Sequence, residues 1–449
     1  MRKLSSLIPI LVFVFGVAVV VFTIGYSVGA FRLFPHKYIK DAITAARSLA
    51  AAEKQKTFSV ENLRPAAKDR LTGNGPVSVY LKDRAVDGVT MFTGFNGSRY
   101  AAVLVDMDGK TLHQWQRDFS AVWPNPPQIQ YQASDDQIDY HGSWLYPNGD
   151  ILLNYTAGNF PFGGGLAKLD KNSNVIWKAD VNAHHDIYVE KSGNILLWAH
   201  EYLHKNPEGM SQGISEYYED MILILDPNGK EIDRIVLREA IKNSDFRGLL
   251  SLNYRDSEDI QFKDEELDDP FHANALDVLE PDMAAAFPMW NVGDIMVSLR
   301  NLNMIGIIDR KTKLMKWALV GLAVRQHDPD FAPDGSIYVY DNRGHDGPGG
   351  RTRLLQIDPR SQRILWSYTG SAEEPLWSWS RGKLQVLENG NILTIEPHAG
   401  RIVEIARDGT IVWEYLNRIS EARGEPVSNR TGMVTDAKRF HRGELTFLQ

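Results

Sequence analysis

The chain of 449 residues contains no cysteine. Disulfides, cysteine-ligated zinc, iron–sulfur clusters and thiol nucleophiles are therefore excluded together. The compartment stays open, because a disulfide-free protein persists in oxidising and reducing surroundings alike. Excess positive charge is missing too: the formal net charge is −8, so no basic face for nucleic acid is implied. A negative overall field also fails to steer an anionic substrate, and any anion site has to be built locally. Otherwise the composition is that of an ordinary globular protein, long enough to bury a large core.

Charge of either sign is absent from one stretch. After Arg2 and Lys3, residues 4–31 are uncharged and dominated by Leu, Ile, Val and Phe. Crossing the hydrocarbon core takes ~20 residues, whereas a cleaved signal peptide has an apolar core of only about 7–15. Val28-Gly29-Ala30 would pass for a cleavage site, but the length favours an uncleaved transmembrane anchor over 4–31. Arg32, Lys37 and Lys40 follow the span as closely as Arg2 and Lys3 precede it, so the positive-inside rule nearly cancels. Residues 35–75 read as a stalk or linker, Ala-rich and helical over 41–56. The globular part starts near Pro76.

From there one pattern recurs. An apolar stretch reaches a Pro/Ser-x-Gly-Asn/Asp turn and climbs into a second apolar run, as in YPNGDILLNY (146–155), KSGNILLWAH (191–200), APDGSIYVYD (332–341) and ENGNILTIEP (388–397). Each predicts two short strands about a tight turn. A second hairpin usually follows and closes on Trp115, Trp177, Trp317, Trp366 or Trp413, while 221–237 has the same form without the Trp. Two hairpins make one four-stranded propeller blade, and repetition at this period points to a propeller rather than a sandwich. Six units fit between 76 and 416, which predicts an all-β, six-bladed β-propeller behind an N-terminal transmembrane helix. An acidic insertion at 238–271 and extra length at 280–292 break the period; the first reads as a solvated loop. The tail, 417–449, has no strong pattern and is expected to lie along one face.

The first hairpin of a blade supplies the innermost strand, which starts beside the central channel. Aligned on the turn glycine, His141, His185 and His327 each lie eight residues before Gly149, Gly193 and Gly335. His272 opens FHANALDV and is expected at the corresponding place in the fourth blade, whose second strand, DIMVSLRN, ends at Arg300. The sixth blade has Gly382 there, preceded by Arg381. A single histidine at a strand start usually satisfies nearby backbone; a set in one register points to a shared site. Asp186 and Asp328 either pair within the repeat or orient imidazoles. His184 breaks the register, His200 lies in or near a loop, and both read as structural.

Three segments carry a family likeness: HDIYVEKSGNILL (185–197), HANALDV (272–278) with IMVSLRNLNMIGIIDR (295–310) and KWAL (316–319), and QHDPDFAPDG (326–335). Over roughly 90–416 the sequence resembles the bacterial arylsulfotransferases, which move sulfate from one phenol to another without a nucleotide donor. The resemblance implies that His327 is transiently sulfated, that His272 and His185 are active-site histidines, and that Arg300 is the active-site arginine. It also implies an N-in anchor at the inner membrane with the propeller in the periplasm. His141 lies outside that set, and it and Asn274 are weaker substrate-binding candidates. Departures are the insertion at 280–292, the missing cysteine pair and the anchor.

The chemistry expected is sulfuryl transfer from an aryl sulfate donor to a phenolic acceptor, by a ping-pong mechanism through a sulfohistidine. A neutral imidazole suits the nucleophile, and a guanidinium fork suits the sulfuryl oxygens. Trp144 and Trp379 could stack on a phenol, although packing is the commoner role for such residues. No cofactor and no metal are assigned. Two rivals remain open: a non-catalytic, membrane-tethered propeller scaffold, and a metal site of two or three imidazoles, against which Arg300 argues.

Overall fold

The computed structural model describes residues 8–30, 33–35, 38, 57–59, 75–129, 134–157, 162–203, 209–210, 217–252, 269–343, 350–378, 380–419 and 430–449. The chain divides into two units, 1–51 and 52–449. In the first, Ile8–Ala30 is one helix of 23 residues, about 34 Å long at 1.5 Å per residue. Its apolar side chains, Phe13, Phe15 and Phe22 among them, are exposed, and the helix is long and apolar enough to span a membrane. The helical stretch expected over 41–56 lies outside the described residues. Within the expected stalk, Thr57–Ser59 is a short strand paired with Arg430–Gly432.

The second unit is a six-bladed β-propeller. Four blades are consecutive four-stranded antiparallel meanders, beginning with Asp139–Leu145, Ala183–Val189, Ala273–Val278 and His327–Phe331 as their innermost strands. The other two are shared between the chain's ends. In the first blade, Val89–Phe95, Tyr100–Asp106 and Thr111–Trp115 receive Val434–Phe440 as their innermost strand, with Val434 opposite Gly94 and Phe440 opposite Val89. In the sixth, Val77–Tyr80 adds a fifth, outermost strand beside Ile411–Leu416. The stretch expected to lie along one face thus closes the ring. Without it the edge of Val89–Phe95 would stay unpaired, which closed β-architectures avoid.

The recurring tryptophans hold blade to blade. An indole N–H taken from water needs an acceptor, and three of them find a carbonyl of the next blade: Trp115 that of Gly149 at 2.9 Å, Trp177 that of Pro227 at 3.2 Å, and Trp413 that of Met107 at 2.9 Å. Burying a side chain of this size stabilises the fold by about 2–3 kcal/mol. Gly193 and Gly335, which set the register used above, sit at φ of 89° and 83°, a left-handed conformation that costs other residues energy. The segment 280–292 folds back into the core. Phe287 and Trp290 are buried there, 4.9 Å from Phe331 and 5.4 Å from Trp317 between ring centroids. Of the acidic insertion, Leu237–Lys242 is a short helix and Arg247–Ser251 a 3-10 turn; its most acidic part, 253–268, lies outside the described residues.

Candidate active site

The inner strands converge, and those of the second to fifth blades are each bulged near the channel. The bulge turns one residue out of the alternating pattern and re-aims its side chain. His185 lies in the bulge of its strand with φ of 54°, His272 precedes its strand with φ of 48°, and in the fifth blade the left-handed residue is Asp328, one place after His327. Gly142 lets the second and third blades approach, because a Cβ there would fall 2.4 Å from the carbonyl oxygen of His185. The rings of His141 and His185 are consequently 4.5 Å apart, and those of His185 and His272 4.9 Å. Arg300 begins a 3-10 turn directly after the strand Ile295–Leu299, and its backbone N–H donates to the carbonyl of His272 at 3.2 Å. His185, His272, His327 and Arg300 therefore gather at one end of the ring, with His141 beside them.

Burial, foremost, holds the imidazoles of His141, His185 and His327 well below the usual histidine range; for His327 the Arg300 guanidinium adds to this. These rings are neutral at pH 7. The tautomer of His327 follows from its partners. Its Nδ1 lies 2.7 Å from Oδ1 of Asn342 and 3.1 Å from the carbonyl of Arg325. Both are acceptors, and Asn342 is oriented by donating Nδ2–H to the carbonyl of Arg381 at 2.6 Å. The proton thus sits on Nδ1, and the lone pair is on Nε2.

His272 is held differently. Its Nδ1 lies 2.5 Å from Oδ2 of Asp269, whose other oxygen accepts the His272 backbone N–H at 3.0 Å. Burial raises the Asp269 carboxyl, but the adjacent His272 imidazole more than offsets this and keeps it below the usual range. The result is a carboxylate–imidazole dyad, as in sites that move protons.

Asn274 supports its neighbours. Its Nδ2 donates to the carbonyl of Gln326 at 2.9 Å, which also accepts from Ser298 Oγ at 3.1 Å, while Gln326 Nε2 returns a bond to Ser298 Oγ at 2.9 Å. The His-Ala-Asn, Val-Ser-x-Arg and Gln-His segments thus meet as one hydrogen-bonded set that fixes the backbone just before His327. Asp186 and Asp328 turn out not to orient imidazoles. Both bind Lys383 Nζ at 2.7 Å, and each accepts a backbone N–H of the next blade, Leu276 at 3.1 Å and Leu384 at 2.6 Å. Arg381 pairs with Asp139 at 2.6 Å. Trp144 packs on Tyr188 and under Lys438, and Trp379 lies outside the described residues.

The sequence reading missed Asn342 and Asp269. Asn342 follows Gly335 by seven residues, as Arg300 follows Gly293, so a second register count would have found it. Asp269 falls at the end of the insertion, where the repeat gives no register.

The model of the family described as Arylsulfotransferase (ASST) matches residues 142–418, more than half of the chain, a span that includes His185, His272, Arg300, His327 and Asn342 but not His141. The chain belongs to the arylsulfotransferase family. Aryl sulfotransferase activity in general follows from that membership. Among curated proteins no sequence match was found. Among solved structures, a protein of unknown function from Bacteroides caccae is similar at 12% identity and a TM-score of 0.45, covering 78% of this chain and 99% of its own. A virginiamycin B lyase from Staphylococcus aureus is similar at 10% identity and a TM-score of 0.34, covering 63% and 72%. Likeness at this level carries nothing about the arylsulfotransferase's substrates.

Proposed function

We propose that this arylsulfotransferase moves a sulfuryl group from an aryl sulfate to a phenolic or related acceptor by a ping-pong mechanism through a sulfohistidine at His327. The observation that carries the reading is the bond from His327 Nδ1–H to Asn342, which leaves a neutral ring with its lone pair on Nε2. That nitrogen makes no hydrogen bond among the described residues. It attacks the donor sulfur in line; the N–S bond forms as the S–O(aryl) bond breaks, and the phenolate leaves. His272, steadied by Asp269, gives the leaving oxygen a proton and takes one back from the acceptor as that oxygen attacks sulfur and the N–S bond breaks. Arg300 spans two sulfuryl oxygens with its planar fork, a type of contact worth about 3 kcal/mol in the transition state. His185 donates to the third, and His141 borders the site from the second blade.

The apolar helix Ile8–Ala30 holds the enzyme at the inner membrane as a single-pass anchor with the propeller in the periplasm. Donor and acceptor are small molecules. The test is the pre-steady-state release of p-nitrophenol from p-nitrophenyl sulfate. Wild-type enzyme shows a burst and a 35S-labelled, acid-labile protein adduct, and His327→Ala shows neither while keeping its fold. Near-normal turnover by that variant removes His327 from the nucleophile role.

A further inference from the structure

Beside the channel histidines, the third blade buries a second cluster that the mechanism does not use. His184 lies on its innermost strand, His200 on the second strand Ile195–Leu203, and Asp220 on the third strand Tyr217–Leu225, directly opposite His200. All three side chains are buried, and one ligating atom from each falls within 4.8 Å of the others. His184 Nε2 stands 3.4 Å from Oδ1 of Asp220 but makes no hydrogen bond there; it is a fully buried ring nitrogen without a partner. A buried polar atom left in this state costs free energy. Two ligands on a tetrahedral cation with bonds of about 2.0–2.2 Å are themselves about 3.4 Å apart, which is the spacing of this nitrogen and oxygen. The groups line a tight space, too narrow for water, that also reaches His185, His272 and Asp269.

We propose that His184, His200 and Asp220 bind a divalent transition metal ion of the zinc class. Two imidazoles and a carboxylate on three adjacent strands of one sheet form a rigid three-ligand set of the N/O type that such ions take. The ion satisfies His184 Nε2, so the proton of that ring is confined to Nδ1. His184 Nδ1 is 2.8 Å from His185 Nδ1, so His184 becomes the donor and His185 the acceptor. The proton of neutral His185 is then on Nε2. In the sulfuryl-transfer reading, on which this clause alone rests, His185 is thereby fixed as a hydrogen-bond donor to the sulfuryl oxygens. His184 is a positioning residue, and the ion holds it.

The experiment uses the full chain, purified without a metal-binding tag in detergent and stripped with a chelator. Zinc is titrated in competition with a chromophoric chelator, and cobalt is loaded separately to read its visible spectrum. One equivalent of zinc is expected, with a cobalt spectrum of tetrahedral nitrogen and oxygen ligation. His200→Ala and Asp220→Ala are expected to weaken uptake at least roughly tenfold. Less than stoichiometric zinc in the wild type with no cobalt spectrum overturns the proposal, as does unchanged uptake in both variants. Should either variant fail to fold, the wild-type stoichiometry and X-ray absorption of its zinc shell decide, since a shell without imidazole nitrogen also overturns it. None of these readings uses turnover, so they fail or succeed separately from the His327 burst experiment.

Discussion

Nδ1 of His327 lies 2.7 Å from Oδ1 of Asn342, and Asn342 is locked in that orientation by the carbonyl of Arg381. The pair joins the first strand of the fifth blade to the end of its second, and it decides which nitrogen of His327 carries the lone pair. Asn342→Leu removes the acceptor and leaves the tautomer unfixed. The burst rate with p-nitrophenyl sulfate is expected to fall about 10–100-fold, the size usual for removing a partner that orients a reactive imidazole. The lost hydrogen bonds lower stability by only about 1–2 kcal/mol, so thermal unfolding shows the variant folded. A burst rate within twofold of wild type would show that Asn342 does not set the tautomer.

Burial and then Arg300 hold His327 well below the ordinary histidine value, which is about 6.5. A depressed value keeps the ring neutral as the pH falls, so kcat/KM should stay flat from pH 8 to about 6 with no loss centred near 6.5. Arg300→Gln removes a positive charge that opposes formation of the imidazolium. The His327 value then rises, and the acidic loss of kcat/KM moves to higher pH. The plateau rate drops as well, by about a hundredfold or more. An acidic limb in the same place in both proteins would separate Arg300 from His327.

Asp269→Asn keeps the shape of the His272 dyad but removes its charge. Proton donation matters most for poor leaving groups. Hydrolysis-free transfer from phenyl sulfate is therefore expected to fall about a hundredfold, and transfer from p-nitrophenyl sulfate clearly less. Equal losses with both donors would place Asp269 in a structural role.

Ring closure depends on the last strand. A chain ending after residue 419 lacks Val434–Phe440, leaving the edge of Val89–Phe95 open in the first blade. Loss of a whole inner strand exceeds the roughly 5–15 kcal/mol by which such domains are stable. The truncated propeller is expected to lose its cooperative thermal transition and to aggregate on gel filtration. A monodisperse, cooperatively unfolding product would show that closure does not need the strand.

Much of this architecture was legible in the chain itself. The hairpin turns with their glycines, the Trp-closing second hairpins and the count of six came from local periodicity, because a blade is a local meander whose strands follow one another. The eight-residue register also found His141, His185 and His327 without coordinates, since equivalent positions in a repeat share a radius. The closing strand was not legible. Residues 434–440 make their pairing with 89–95, far away in sequence, and a lone strand without its hairpin partner carries no turn signal.

The sequence alone placed His141, His185 and His327 at one equivalent position, through the distance of each from a turn glycine that adopts positive φ. Only the tertiary structure decided how those residues act. The hydrogen-bond partners of their ring nitrogens, Asn342 for His327, Asp269 for His272 and His184 for His185, come from strand ends and insertions where side-chain direction depends on bulges and on neighbouring blades. Such contacts are fixed by packing in three dimensions, and no periodicity along the chain encodes them.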